Sequence, residues 1–451
     1  MQNPAPSSLW KTYLLFLAPM VLANFLQSMS GTVNSVYIGQ MLGTQALAAV
    51  SGMFPIVFFF IALVIGLGAG AGVLIGQAWG AREPHQVKAI AATTLLLGTI
   101  IGLTAAVSGS VFARLALQGL GTPADVLDDA VAYAQVMMWI MPSLLVYVLF
   151  TQLLRGVSDT LSPLIALVVS TCIGLALTPA LIRGWLGLPM MGIQSAAYAG
   201  LVGNLSAMGW LAWRLIRRGH PLAPDREMFA AMRLDPIILG KVLRIGLPTG
   251  LQMVVLSLSE LVILALVNQH GSQATAAYGA VTQIVNYVQF PALSIAITAS
   301  ILGAQAIGGG HVERIGPILR TGLWINLCLT GSLVLIGYLL SHWLLGLFLT
   351  EEGTRMMAEH LLHIMLWSLL VFGFQAIIGG IMRASGTVLA PMAISMVCVL
   401  LLQLPVAYLL DAQFGVQGVW MACPVAYLGM LILQTLYYKK VWKHRKIERL
   451  V

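Results

Sequence analysis

Glu260 is the one carboxylate in this sequence that lies far from any polar connection. It stands in LPTGLQMVVLSLSELVILALVNQHG, sixteen residues after Arg244 and ten before His270. At about 1.5 Å of rise per residue, that places it roughly 15 Å from the outer end of an apolar helix. A charge at such depth costs several kcal/mol unless it faces water or a partner. Acids kept there serve proton relay or cation binding. A proton and a cationic cargo would compete for the same carboxylate. Each would eject the other, which is sufficient for exchange if only loaded states cross. The competing reading is a neutral, hydrogen-bonded Glu that ties two helices together.

Other polar side chains fall inside apolar stretches. Gln283, Asn286 and Tyr287 share one helical face at i, i+3 and i+4, and Gln375 lies in a later segment. Asn34 and Asn204 belong to the first half of the chain. These amides and the phenol would orient the carboxylate, contact cargo or join helices. Asn34 cannot titrate. His360 and His363 stand one turn apart without a third ligand, so no metal site is expected. Cys172, Cys328, Cys398 and Cys423 have neither disulfide nor zinc spacing. No paired acids and no H-E-x-x-H motif occur within the apolar stretches, so neither an enzyme nor a cofactor is expected. A channel is disfavoured by the duplicated plan described below, which suits a carrier.

The elements that must position these residues are transmembrane helices. Hydrophobic residues make up 59% of the 451 and charged residues 8%, against about 25% charged in soluble domains. Twelve spans are predicted, at about 12–37, 46–75, 88–112, 130–150, 161–183, 192–216, 241–268, 275–305, 315–345, 359–382, 388–410 and 416–438. In hydrocarbon the backbone must bond within each segment, so these are helices. The fold class is therefore an all-α polytopic membrane protein. MQNPAPSSLWK leads into a span too long for a signal sequence, so the first helix is expected to persist. Twenty of the 23 Lys and Arg fall on one side of this topology. That side is expected to be cytoplasmic and to hold both termini, in the plasma membrane, which would be a bacterial inner membrane. The tail YYKKVWKHRKIER then reads as a membrane-surface anchor rather than a nucleic-acid patch.

The chain is written twice. GQAWGAREPHQV from Gly76 aligns with AQAIGGGHVERI from Ala304, an offset of 228 residues. At the same offset Arg155 matches Arg383 and Pro163 matches Pro391. Six spans return the chain to its starting side, so the halves share a topology about an axis along the membrane normal. The expected parts are an N-terminal six-helix lobe (1–216), a cytoplasmic linker (217–240), a C-terminal six-helix lobe (241–438) and a basic tail (439–451). Two such bundles around a central cavity suit alternating access, and one chain is enough for it.

Several segments resemble the multidrug and toxic compound extrusion (MATE) family. They are VNSVYIGQMLGTQALAAVS in the first helix and its loop, GQAWGARE, LLRGVSDT with its repeat IMRASGT, and the G-L-P at Gly246 to Pro248. The resemblance spans nearly the whole chain. It implies secondary active efflux of organic, cationic or amphipathic small molecules in exchange for H⁺ or Na⁺. The sequence departs from the family pattern at three places. The first-helix Asp is replaced by Asn34. The coupling Glu of many members falls one turn earlier, at Leu256. The tenth-helix Asp of sodium-coupled relatives is replaced by Phe372. Fewer carboxylates weaken a Na⁺ site, so H⁺ coupling is favoured and Na⁺ coupling is the alternative. A related lipid or oligosaccharide flippase is the other alternative, disfavoured by the scarcity of cations within the spans.

Overall fold

The computed structural model describes residues 6–451 except Leu120, Pro123 and Val126, and omits the side chains of 6–8, 44, 48, 51, 52 and 55. The first five residues, on which the expected cytoplasmic N-terminus rests, lie outside the described residues. Among the described residues there is no strand. The helices are α1 (Pro6–Leu42), α2 (Thr44–Gly52), α3 (Phe54–Gly80), α4 (Pro84–Gly119), α5 (Leu127–Gly156), α6 (Leu161–Arg183), α7 (Ser195–Arg217) and α8 (Arg226–Ala230). They continue with α9 (Pro236–Asn268), α10 (Ser272–Gly308), α11 (Ile315–Leu339), α12 (Ser341–Gly346), α13 (Glu352–Ala384), α14 (Leu389–Val397), α15 (Leu404–Phe414) and α16 (Val416–Lys440). Among the described residues, eleven helical stretches are long and apolar enough to cross a membrane. Helix α7 has the length, at 23 residues, but carries Asn204, Arg214 and Arg217. The chain is a multi-pass membrane protein.

Two compact units form. One, here the N-unit, comprises residues 22–79 and 83–250; the other, the C-unit, comprises 1–21, 80–82 and 251–451. Helix α1 therefore gives its first turns to the C-unit, and α9 gives its first turns to the N-unit. Each of these helices holds an internal proline two residues before the change of unit, Pro19 and Pro248.

Within the N-unit, α3 and the start of α9 meet backbone to backbone. A Cβ on Gly66 would lie 2.3 Å from the Gly250 nitrogen, and one on Gly246 would lie 2.6 Å from the Leu67 Cα. Gly66 with Gly70, and Gly246 with Gly250, are matched G-x-x-x-G pairs, whose small faces let membrane helices approach closely.

The linker also docks on the N-unit. Lys88 Nζ donates to Asp225 at 2.7 Å and to Glu227 at 2.6 Å. The Thr93 hydroxyl donates to the Arg233 carbonyl at 3.0 Å. Asp225 also caps α8 by accepting from the Met228 N–H at 2.9 Å. The Lys88 hydrogen bonds hold both carboxyls below the usual carboxylate range. His220 faces Asp159 at 3.5 Å, yet burial outweighs that attraction and pushes the imidazole below its ordinary value.

In the C-unit, the first turns of α1 are pinned by the Tyr13 hydroxyl, which donates to the Ile318 carbonyl at 2.9 Å. Helices α10, α13 and α16 pack together around an apolar core that includes Val281, Leu362 and Trp420.

Candidate functional site

Glu260 lies eight residues before the end of α9, roughly 12 Å by helical rise. Helix α10 begins at Ser272 and runs the opposite way, so the level of Glu260 is met near residue 280. Tyr278 is the side chain found there. Tyr278, Tyr427 and Cys423 all lie within electrostatic range of the Glu260 carboxylate. The side chain is open to contact, yet protein surrounds it at longer range. Among the described residues it makes no hydrogen bond or ion pair. A carboxylate without a counter-charge in such surroundings is available to a proton or to a cation.

Two of these neighbours, Tyr278 and Tyr427, belong to aromatic pairs. Tyr278 meets Trp420 edge-on, with centroids 5.1 Å apart. Tyr427 packs on Phe372 at 5.2 Å. Rings present a negative face to a cation, so these pairs suit an organic cation beside the acid. Trp420, Cys423 and Tyr427 fall at i, i+3 and i+7 of α16 and thus on one face.

A polar chain runs behind the carboxylate. Ser259 Oγ donates to Gln403 Oε1 at 3.2 Å, and Gln403 Nε2 contacts Cys423 Sγ at 3.3 Å. One level further in, Gln252 Nε2 donates to Ser395 Oγ at 2.9 Å. Seven residues separate the two bridges on α9, and eight separate them between α14 and Gln403. In a regular helix eight residues would turn Gln403 about 80° away from Ser395. The chain takes up that turn in a π-helical stretch at Cys398–Gln403, whose wider i→i+5 turns absorb one extra residue. The π stretch thus aims Gln403 at Ser259 and Cys423.

The residues singled out by sequence distribute as follows. Gln283, Asn286 and Tyr287 lie on α10, five to nine residues beyond Tyr278, so roughly 7–14 Å deeper. No hydrogen bond joins Glu260 to Gln283, Asn286 or Gln375. Gln283 is exposed and Gln375 is buried in α13. Leu256 packs against the apolar cluster of Cys398, Val399, Ala426 and Met430. A carboxylate at that position would sit on hydrocarbon. Sequence reasoning missed Tyr278, Tyr427 and Gln403. The i, i+3, i+7 face of α16 was a readable signal for Tyr427; nothing local announces the π stretch.

Asn34 and Asn204 come together in the N-unit. Both line a cavity of about 280 Å³, with Ser35, Tyr133 and Gly200 also on its wall. Thr178 Oγ1 shares its proton between the Gly174 carbonyl at 2.7 Å and Asn34 Oδ1 at 3.2 Å. Ser170 Oγ donates to Asn204 Oδ1 at 3.0 Å. The cavity wall is mainly apolar, with Asn34, Ser35, Tyr133 and Asn204 as its polar side chains, and it carries no carboxylate.

The model of the MatE family matches residues 19–180 and again 248–409, two matches that start 229 residues apart. The chain belongs to the MatE family. The paired matches agree, to within one residue, with the duplication read from the motifs. Over 452 aligned residues the chain is 40% identical to a probable multidrug resistance protein, YoeA, of Bacillus subtilis, covering 100% of this chain and 98% of that one. It is 27% identical over 402 residues to a FAD transporter of Shewanella oneidensis, covering 88% and 87%. A solved mutant of the Vibrio cholerae MATE transporter VcmN superposes with a TM-score of 0.90 at 20% identity, covering 98% and 99%. That likeness shows the fold: two pseudo-symmetric halves, as in MATE transporters. Members of this family are transporters rather than enzymes.

Proposed function

We propose that this MATE-family protein is a proton-coupled antiporter that expels organic cations or cationic amphipaths from the cytoplasm. Glu260 is the coupling group. It takes up a proton from outside as it releases cargo and yields that proton inside as cargo binds. The observation that carries this reading is the Glu260 carboxylate, within electrostatic range of Tyr278, Tyr427 and Cys423 and, among the described residues, without a cation or hydrogen-bond donor paired to it. The multidrug assignment of the 40% identical relative supports the cargo class. Proton coupling is favoured over Na⁺ because a hard cation wants several oxygen ligands. Here the neighbouring oxygens, on Tyr278, Tyr427, Ser259 and Gln403, are all neutral, and Phe372 and Leu256 stand where relatives carry acids, so Glu260 offers a lone anionic ligand.

The reading includes alternating access by the two halves of one monomer in the plasma membrane, with both termini cytoplasmic. Gln283, Asn286, Tyr287 and Gln375 would contact cargo deeper along the C-terminal half, and Asn34 and Asn204 would do so in the other half.

The test is drug-cation efflux from proteoliposomes under an imposed proton gradient, with and without Na⁺, in wild type and Glu260→Gln. The expected result is Na⁺-independent efflux that disappears in a folded Glu260→Gln protein. Undiminished efflux in that variant removes Glu260 from the mechanism. A strict Na⁺ requirement in wild type would instead assign sodium as the coupling ion.

A further inference from the structure

The C-terminal segment is docked rather than loose. Trp442 is 3% exposed and follows directly on the last turn of α16, which ends in Lys439 and Lys440. Its indole N–H donates to Ser385 Oγ at 3.0 Å, and that hydroxyl lies 2.8 Å from the Met382 carbonyl it donates to. Its ring stacks on Tyr438 with centroids 5.1 Å apart. Farther along, Leu450 lies against Gly386, where φ is +80° and an added Cβ would come within 2.8 Å of the Leu450 side chain. The tail thus folds back on the connection between α13 and α14 and is fastened at two points.

That docking turns the cations outward. Lys439, Lys440, Lys443, Arg445 and Lys446 are all exposed, and the only acid of the segment, Glu448, pairs with Lys446 at 3.3 Å. Four to eight cations just beyond a membrane helix attract anionic headgroups, and the attraction fades within a Debye length. A random coil would lose entropy to gather these charges at a surface. Here Trp442 and Leu450 have already fixed the backbone that carries them.

We propose that residues 439–451 form a pre-organised site for anionic phospholipid headgroups, with Lys443, Arg445 and Lys446 as its phosphate-binding centre. The proposal rests on the inner-face placement of the C-terminus. Because the same segment clamps Ser385 and Gly386, bound lipid stabilises the inner ends of α13, α14 and α16. Those are the helices that bring Phe372, the π stretch and Tyr427 toward Glu260.

The test uses the full-length protein in neutral detergent and reads the thermal unfolding midpoint, not transport, so failure of the proton-coupling reading leaves it intact. Phosphatidylglycerol or phosphatidylcholine is added at equal mole fraction, with soluble glycerol phosphate as a third arm. Phosphatidylglycerol is expected to raise the midpoint at low salt, phosphatidylcholine and glycerol phosphate to leave it unchanged. The Lys443→Gln/Arg445→Gln/Lys446→Gln protein is expected to keep the wild-type midpoint in phosphatidylcholine. It should need on the order of 100-fold more phosphatidylglycerol for the same shift. Trp442→Ala keeps every charge but undoes the docking, and should lose most of the shift. An equal shift in the triple variant, a full shift in Trp442→Ala, or the same shift from glycerol phosphate overturns the proposal.

Discussion

The two halves carry one duplicated plan but different chemistry at its polar positions. In the C-unit a carboxylate lies within electrostatic range of Tyr278 and Tyr427, backed by the bridge from Ser259 through Gln403 to Cys423. In the N-unit two amides, Asn34 and Asn204, line a cavity and engage hydroxyls of α6. A neutral amide is tolerated at depth with one or two hydrogen bonds. A carboxylate in the same setting is costly in its charged form. On the proposed mechanism, the difference assigns proton exchange to Glu260 in the C-unit and leaves cargo contact to the neutral amides of the N-unit cavity.

The sharpest way to break that comparison is to move the acid. Leu256→Glu combined with Glu260→Leu puts it one turn inward, against Cys398, Ala426 and Met430. A charge on that apolar face costs several kcal/mol, so proton-driven efflux is expected to fall to background. Wild-type rates in this variant would mean that any acid on the helix suffices. The second test removes the support. Gln403→Leu strands the buried Ser259 hydroxyl, at a cost of about 1–3 kcal/mol. The expected outcome is a lower unfolding midpoint together with a shifted pH profile of efflux. A lower midpoint with an unaltered profile would make the bridge purely structural.

A smaller effect is expected on the other side. Asn34→Ala removes one neutral contact, worth about 1 kcal/mol, so KM for cargo should rise about fivefold while the dependence on the proton gradient stays as it was. Loss of proton dependence there would reverse the assignment of the halves.

The smallest effect belongs to the linker, which neither site touches. Asp225→Ala deletes the α8 cap and should cost about 1 kcal/mol, whereas Asp225→Asn keeps the cap and loses only the charge. The sign with pH follows from the directions of the shifts. Asp225 and Glu227 are held low, so their contribution is complete above about pH 4.5 and lost as pH falls through their depressed values. Burial disfavours charged His220, so its contribution is complete above about pH 6.5 and is lost as pH falls below that. A spin label on the linker should therefore gain mobility in two acid steps, and the Asp225→Ala protein should be more mobile at every pH.

Much of this was legible in the sequence. Apolar length gave the helices, and the motifs around Arg155 and Arg383 gave the duplication. Glu260 stood out because no other acid lies so deep. Its surroundings were harder to read for two physical reasons. Helical periodicity reports which face a residue occupies, but not its depth relative to a neighbouring helix. Gln283, Asn286 and Tyr287 share a face, yet the short connection between Asn268 and Ser272 brings Tyr278 level with the acid. The π stretch is the second reason, because its one extra residue re-aims Gln403 without a sequence signature. The exchange of the first turns of α1 and α9 between the compact units also lay beyond periodicity. It depends on contacts such as Tyr13 with Ile318 and Gly66 with Gly250.

The most direct test of the central claim is a count of protons released when cargo binds. Detergent-purified protein in weak buffer with a pH dye is titrated with a cationic drug such as ethidium. About one proton per bound cation is expected from wild type, and none from a Glu260→Gln protein that still binds the drug. Binding without proton release in wild type, or unchanged release in the variant, would contradict the account.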